Sequence, residues 1–192
     1  LEQVMASARD AGLFVIADAK RGDIGSTMLG YAQAWFGDDS PLRSDALTVS
    51  GYLGPDSLKE TLEYAKDVEG GLFLLAATSN PEAKQLQLAT KDGETVSSVA
   101  LAAAQALGQG NMGVVIGATQ NLEEFGIGGI KDEDCQIPIL SPGFGAQGAR
   151  LEDIPSLFGA SAARVIANMS REITNQGPDK VSDLINRAKD KL

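Results

Sequence analysis

Histidine is absent from all 192 residues. Without an imidazole, Ser-His-Asp and Cys-His catalysis in their usual forms are excluded, as is the commonest transition-metal ligand. Acid–base or electrostatic chemistry falls to Asp, Glu, Lys, Arg, Tyr or the one cysteine, Cys135. A single cysteine excludes an internal disulfide framework and fits a reducing compartment. No apolar run approaches the ~18 residues that span a bilayer. Leu1-Glu2-Gln3-Val4-Met5 has neither a basic n-region nor an apolar h-region, so no secretory leader is expected there. Positive charge is the minority, with Lys+Arg 16 against Asp+Glu 26 and a net charge of −10. That sign argues against a general nucleic-acid or membrane-surface role. With 43% hydrophobic and 22% charged residues, the chain reads as one globular, cytoplasmic domain with a real core.

Six short apolar runs read as buried strands: Phe14-Val15-Ile16-Ala17, Ala46-Leu47-Thr48-Val49, Leu72-Phe73-Leu74-Leu75-Ala76, Gly113-Val114-Val115-Ile116, Ile137-Pro138-Ile139-Leu140 and Arg164-Val165-Ile166-Ala167. They are continuous rather than alternating, as parallel strands covered on both faces should be. Amphipathic helical patterns separate them. Residues 55–65 place Leu58, Leu62 and Ala65 on one face, residues 94–107 are alanine-rich, and residues 178–192 put Val181, Leu184, Ile185 and Ala188 on one side. Alternating β and α units predict an α/β parallel sheet, either open and doubly wound or part of a (β/α)8 barrel. The chain opens inside a helix, with Leu1, Val4, Met5 and Ala8 on a common face and Gly12 at its end. Two βα units are therefore expected upstream, which would bring a barrel to eight. No linker or internal repeat divides residues 1–192.

The densest chemical signal is Asp18-Ala19-Lys20-Arg21-Gly22-Asp23-Ile24-Gly25-Ser26-Thr27, directly after an apolar strand. Residues i and i+2 of a strand share a face, so Asp18 and Lys20 should project together at the strand's C-terminal end, where parallel α/β folds carry their sites. Asp23 follows the turn at Gly22, and Thr27 lies four residues on. A lone Asp-x-Lys is more often a salt-bridged surface turn. Its position straight after an apolar run argues for a site.

Three more segments stand at predicted strand ends. Ser141-Pro142-Gly143-Phe144-Gly145-Ala146-Gln147-Gly148 is a glycine-rich loop whose N–H groups and Gln147 amide suit an anion. It also matches Gly-x-Gly-x-x-Gly, but it follows the fifth strand rather than the first, and no acidic residue follows the next strand to hold a ribose. Ser170-Arg171 follows the last strand, where barrels often grip phosphate, and Arg171 offers a guanidinium fork. Ala76-Ala77-Thr78-Ser79-Asn80-Pro81 offers the Ser79 hydroxyl, although Ser-Asn-Pro is also a common helix-entry turn.

Asp18-x-Lys20-x-x-Asp23-Ile24-x-x-Thr27 resembles the signature of the orotidine 5'-phosphate decarboxylase family, and the string Asp-Ala-Lys-Arg-Gly-Asp-Ile-Gly-Ser-Thr resembles one bacterial branch of it. Thr78-Ser79-Asn80-Pro81, Gly117-Ala118-Thr119, Pro142-Gly143-Phe144-Gly145-Ala146-Gln147-Gly148 and Ser170-Arg171-Glu172-Ile173 resemble that branch in the same order. The resemblance implies a (β/α)8 barrel that dimerises with its sites at the interface. It implies cofactor-free and metal-free decarboxylation of orotidine 5'-phosphate to UMP in pyrimidine biosynthesis. Lys20 would protonate C6 as CO2 leaves, and Asp18 would sit beside the substrate carboxylate. Asp23, Ile24 and Thr27 would act in the partner subunit's site, Asp23 in its charge array and Thr27 at its ribose. Ser79 would contact the pyrimidine, while Gln147, Gly148 and Arg171 would bind the phosphate, with residues 145–150 as a closing segment. The same resemblance implies a further lysine and aspartate upstream of Leu1, within about 70 to 90 residues of additional chain.

Two other readings remain open at the level of sequence. One is a metal-dependent sugar-phosphate aldolase or decarboxylase on the same scaffold. The other is a non-catalytic nucleotide-phosphate-binding fragment. The decarboxylase reading requires Asp18 and Lys20 to lie in a closed, water-poor cavity.

Overall fold

The computed structural model describes residues 1–108 and 110–192. In chain order its elements are α1 (Glu2–Asp10), β1 (Ile16–Arg21), α2 (Gly25–Phe36), β2 (Ala46–Val49), α3 (Lys59–Asp67), β3 (Gly71–Ala77), α4 (Ala83–Gln87), β4 (Thr90–Lys91), β5 (Glu94–Thr95), α5 (Val96–Gly108), β6 (Met112–Ile116), β7 (Ile139–Pro142), α6 (Ile154–Phe158), β8 (Val165–Asn168), α7 (Arg171–Thr174) and α8 (Val181–Lys189). Six strands form one sheet in the order β1-β2-β3-β6-β7-β8, and β4 pairs with β5 as a separate antiparallel hairpin. The pairs β1–β2, β2–β3 and β7–β8 are parallel.

That order decides between the two predicted architectures. A doubly wound sheet reverses its strand order at a switch point. Here each strand of the large sheet lies beside its predecessor in the chain without reversal, as in a (β/α)8 barrel. Six of the eight βα units are present, with β1 and β8 as the sheet's edge strands.

The chain divides into two compact units. The first comprises Leu1–Leu75 and Val99–Val114. In it, all four residues of β2 are buried, and β2 runs in register with β3 from Ala46↔Gly71 to Val49↔Leu74. α2 covers this unit with Met28, Ala32, Trp35 and Phe36, a spacing of four, three and one that keeps a single helix face inward. Leu58, Leu62 and Ala65 are buried as their spacing predicts, although a 3-10 turn over Pro55–Leu58 precedes α3.

The second unit comprises Ala76–Ser98 and Val115–Leu192. β7 and β8 pair from Ile139↔Val165 to Pro142↔Asn168. Phe125, Ile127, Ile130 and Phe158 are its fully buried large side chains outside the strands. Ser161 donates its hydroxyl to the Ile130 carbonyl, and Arg164 donates to the Cys135 carbonyl and to Ser161 at 2.8 Å, so the turn before β8 holds the loop before β7.

Several boundaries differ from the sequence pattern. The first strand is Ile16–Arg21 rather than 14–17, and Phe14 is exposed. Asp45 is the cause: its carboxylate accepts the Val15 N–H at 2.6 Å, and the Val15 carbonyl accepts from Asp45 and Ala46, so the ladder starts only at Ile16↔Ala46. The strand expected over 137–140 is Ile139–Pro142. The predicted helix over 94–107 starts later, at Val96, because Thr90–Lys91 and Glu94–Thr95 close a hairpin around Asp92-Gly93. The two turn residues have φ of 57° and 88°, the pairing a two-residue hairpin favours. α8 shows the predicted stripe, yet none of its residues is buried and Ile185 is exposed.

Leu47 is fully buried on a strand covered on both sides. Leu47→Ala should cost about 2–5 kcal/mol in denaturant-induced unfolding. A loss below ~1 kcal/mol would show that this strand is not packed as described.

Candidate active site

Asp18 and Lys20 lie in the last four residues of β1. On a regular strand they would share a face. The strand is not regular there: Ala17 pairs with Leu47 and Arg21 with Val49, so β1 takes four steps where β2 takes two. The surplus forms a bulge, with Lys20 in the left-handed region at φ 50°. For a residue with a side chain that conformation costs about 1–2 kcal/mol. The two side chains meet even so, with Lys20 Nζ 2.6 Å from Asp18 Oδ2. A bulge, and not simple alternation, aims them at each other.

Thr48 completes the group. Its hydroxyl lies 2.9 Å from the Lys20 backbone nitrogen and 3.0 Å from Asp18 Oδ1. Nothing in the sequence reading selected this threonine. The only available signal is that it is the one polar residue in the run Ala46-Leu47-Thr48-Val49.

The expected dry cavity is not met around this pair in the chain as it stands. Lys20 and Asp18 keep 51% and 64% of their side-chain surface exposed. Both stand at the C-terminal end of an edge strand, which pairs with β2 alone among the described residues.

The next residues turn away from the sheet. Arg21 places its guanidinium 5.4 Å from the Tyr31 ring centroid and 6.0 Å from that of Trp35, a cation–π clamp onto α2. Gly22 lies against the loop after β2, and a Cβ there would meet the Ser50 carbonyl oxygen at 2.8 Å. Ser50 in turn donates its N–H to the Arg21 carbonyl at 2.7 Å. Asp23 is half-buried and accepts the Ile24 N–H at 2.8 Å. Ile24 is 60% exposed, and Thr27 is exposed on the first turn of α2. The structure therefore gathers Asp18 and Lys20, and leaves Ile24 and Thr27 pointing outward.

The second set of residues lies in the other compact unit. Ser79, in the loop after β3, donates its hydroxyl to Gln147 Oε1 at 3.3 Å. Gly117 lets the loop after β6 approach this point, since a Cβ there would stand 3.1 Å from Ser79 Cβ. Gln87 holds the loop from behind, accepting the Thr78 N–H at 2.9 Å and donating to the Thr78 hydroxyl at 3.0 Å. Glu82 follows in the same loop. Its own backbone N–H and the Asn80 amide hold its carboxyl below the usual carboxylate range.

The glycine-rich loop after β7 is bonded to itself. Gly145 donates its N–H to the Ala149 carbonyl at 2.9 Å, Ala149 to Gly143 at 3.2 Å and Gly148 to Gly145 at 2.8 Å. The Gly148 N–H, expected to face an anion, is committed inside the loop in this conformation. Gly145, at φ 72°, lets the loop pack on Glu172 and Met169, which a Cβ would approach to 3.0 and 3.1 Å. Arg171 opens α7 beside this contact, with its side chain exposed. Just beyond the loop, the Glu152 carboxyl is held below its usual range by its own backbone N–H, with Lys191 and Arg150 adding to the effect.

The model of the orotidine 5'-phosphate decarboxylase / HUMPS family matches residues 2–184. The chain belongs to this family. It is 46% identical over 187 residues to the orotidine 5'-phosphate decarboxylase of Streptomyces coelicolor, a match covering 93% of this chain and 65% of the relative. The Corynebacterium glutamicum enzyme of the same name is 45% identical over 190 residues, covering 93% and 66%. The chain thus spans slightly less than two thirds of these relatives. Among solved structures, a Streptomyces avermitilis protein assigned to that enzyme superposes with a TM-score of 0.89 at 44% identity, over 99% of this chain and 68% of the other. Leishmania donovani OMP decarboxylase superposes with a TM-score of 0.78 at 26% identity, over 99% and 71%. Among the described residues no helix is long and apolar enough to cross a membrane.

The Gly22–Ser50 approach ties the loops after β1 and β2 together. Gly22→Ala should destabilise the protein by about 1–3 kcal/mol, read by denaturant unfolding, because a backbone oxygen cannot rotate aside. An unchanged midpoint would mean that the two loops separate freely.

Proposed function

We propose that the protein, in its natural length, decarboxylates orotidine 5'-phosphate to UMP in pyrimidine biosynthesis. The observation that carries this reading is the Lys20–Asp18 contact of 2.6 Å at the C-terminal end of β1, in a member of this family. Breaking the bond from C6 to the carboxylate carbon releases CO2 and leaves the electron pair on C6. The Lys20 ammonium stabilises that charge and passes its proton to C6. Fixed charge of this kind works best where water is excluded, because the dipoles need not reorganise during the reaction. The exposure of the pair in this chain is therefore assigned to its isolation from further covering structure, supplied by the rest of the barrel and by a second subunit. Asp18 is assigned to the substrate carboxylate, which its like charge pushes toward departure.

The remaining roles follow the family pattern. Ser79 reads the pyrimidine edge, while Gln147, Gly148 and Arg171 take the phosphate. For Gly148 this requires the loop to exchange its internal bond to Gly145 for the ligand. Phosphate is remote from C6, so gripping it can drive closure of residues 145–150 and position the ring. We further assign a homodimer in which Asp23, Ile24 and Thr27 enter the partner's site, a reading supported by the outward placement of Ile24 and Thr27. Residues 1–192 form a single barrel domain in this proposal, completed by about two βα units. A cytoplasmic location and the absence of a metal or organic cofactor belong to the same reading.

Lys20→Ala in the natural full-length protein should lower turnover of orotidine 5'-phosphate by about 10²-fold or more, the usual range for loss of a proton-transfer group. A fall of less than tenfold would refute the proton-donor role. Activity should also persist in EDTA. Its loss there would point instead to the metal-dependent aldolases and decarboxylases built on this scaffold. Tight UMP binding with no turnover by the full-length protein would favour a non-catalytic binder.

A further inference from the structure

We infer that Thr48 is the positioning residue for Asp18 and Lys20, an inference that deepens the decarboxylase reading and rests on it for its catalytic consequence. Thr48 is the third residue of β2 and is fully buried. Its hydroxyl has two partners with fixed polarity. The Lys20 backbone N–H, at 2.9 Å, can only donate, and an ionised Asp18 carboxylate, at 3.0 Å, can only accept. The hydroxyl proton is therefore directed at Asp18 Oδ1, and an oxygen lone pair receives Lys20. The other carboxylate oxygen, Oδ2, takes the Lys20 ammonium at 2.6 Å. One buried oxygen thus sits in a closed ring that runs from the Lys20 backbone through Thr48 and Asp18 to the tip of the Lys20 side chain.

This ring explains two things that the Lys20–Asp18 pair does not explain alone. An ion pair with both partners half exposed holds its geometry weakly, because water competes for each charge. Lys20 also occupies a left-handed backbone conformation that its side chain disfavours. The bond from its N–H to a side chain on the rigid neighbouring strand stabilises that conformation. It lies within the irregular stretch where regular ladder pairing between β1 and β2 lapses. Thr48 also fixes one edge of the Asp18 carboxylate, so the other edge faces the ammonium. It sits behind both groups and needs no contact with the substrate.

The test compares the natural full-length protein with Thr48→Val, which keeps the volume and removes the hydroxyl, and with Thr48→Ser, which restores it. In T48V, kcat should fall about a hundredfold while KM stays within about threefold, because the pair is misplaced by a fraction of its productive geometry and phosphate binding is untouched. T48S should recover kcat to within about fivefold of the parent. Should T48V fail to fold, T48S against Thr48→Cys makes the same comparison between an oxygen and a weakly bonding sulfur of similar shape. Kinetics of T48V within twofold of the parent, or T48S as impaired as T48V, would overturn the inference. The Lys20 Cα and Cβ NMR shifts give a readout independent of activity. They should report a left-handed backbone in the parent and its loss in T48V. If the parent does not decarboxylate orotidine 5'-phosphate, the functional reading fails, and unchanged Lys20 shifts in T48V then separately dispose of the positioning role.

Discussion

A parallel strand covered on both faces has nowhere along its length for an ionisable side chain. β2 shows the constraint at full strength: its four residues are all buried, and its only polar atom beyond the backbone is one hydroxyl that donates to Asp18 and accepts from Lys20. Charge is consequently displaced to strand ends. That is where Asp18 and Lys20 stand, and where the loops bearing Ser79, Gln147 and Arg171 begin. The ladder from Ala46↔Gly71 to Val49↔Leu74 keeps β2 rigid, and rigidity in β2 gives a bulge in β1 something firm to bond to.

The unreversed strand order lies behind the rest of the architecture. Each strand of the large sheet is added beside the one before it, so the segments after the strands' C-terminal ends are the natural place for a site. The glycines at these loops serve approach more than flexibility. Gly22 admits the Ser50 carbonyl, Gly117 admits Ser79, and Gly145 admits Met169 and Glu172. A Cβ at Gly22 would collide with backbone, whereas at Gly117 and Gly145 the neighbouring atoms would have to give by a few tenths of an ångström.

Much of this was legible in the residues, and the failures have specific causes. Strand identity follows from continuous apolar runs, and each of the six runs overlaps a strand. Their limits moved because hydrogen bonds from single side chains, such as Asp45 to the Val15 N–H, decide where a ladder starts, and hydropathy does not register them. The Asp92-Gly93 turn was a readable hairpin signal, obscured by the alanine-rich helix that follows it. Asp18 and Lys20 were found by their spacing, but the geometry that joins them is a bulge, which i, i+2 counting cannot foresee. Thr48 was invisible for a different reason. Threonine is a good strand former in its own right, so its presence in a strand carries no mark of function. Arg21 likewise gave no hint that it would settle over Tyr31 and Trp35 instead of reaching for a ligand. The dry cavity is an inference from chemistry, and Lys20 and Asp18 keep half or more of their side-chain surface open to solvent.

Trp35 is the sole indole in the sequence, nearly buried on α2 beneath the guanidinium of the residue that immediately follows Lys20. Indole emission responds to the electric field of a nearby cation. Residues 1–192 therefore carry one built-in optical reporter, seated against the backbone segment that bears Lys20.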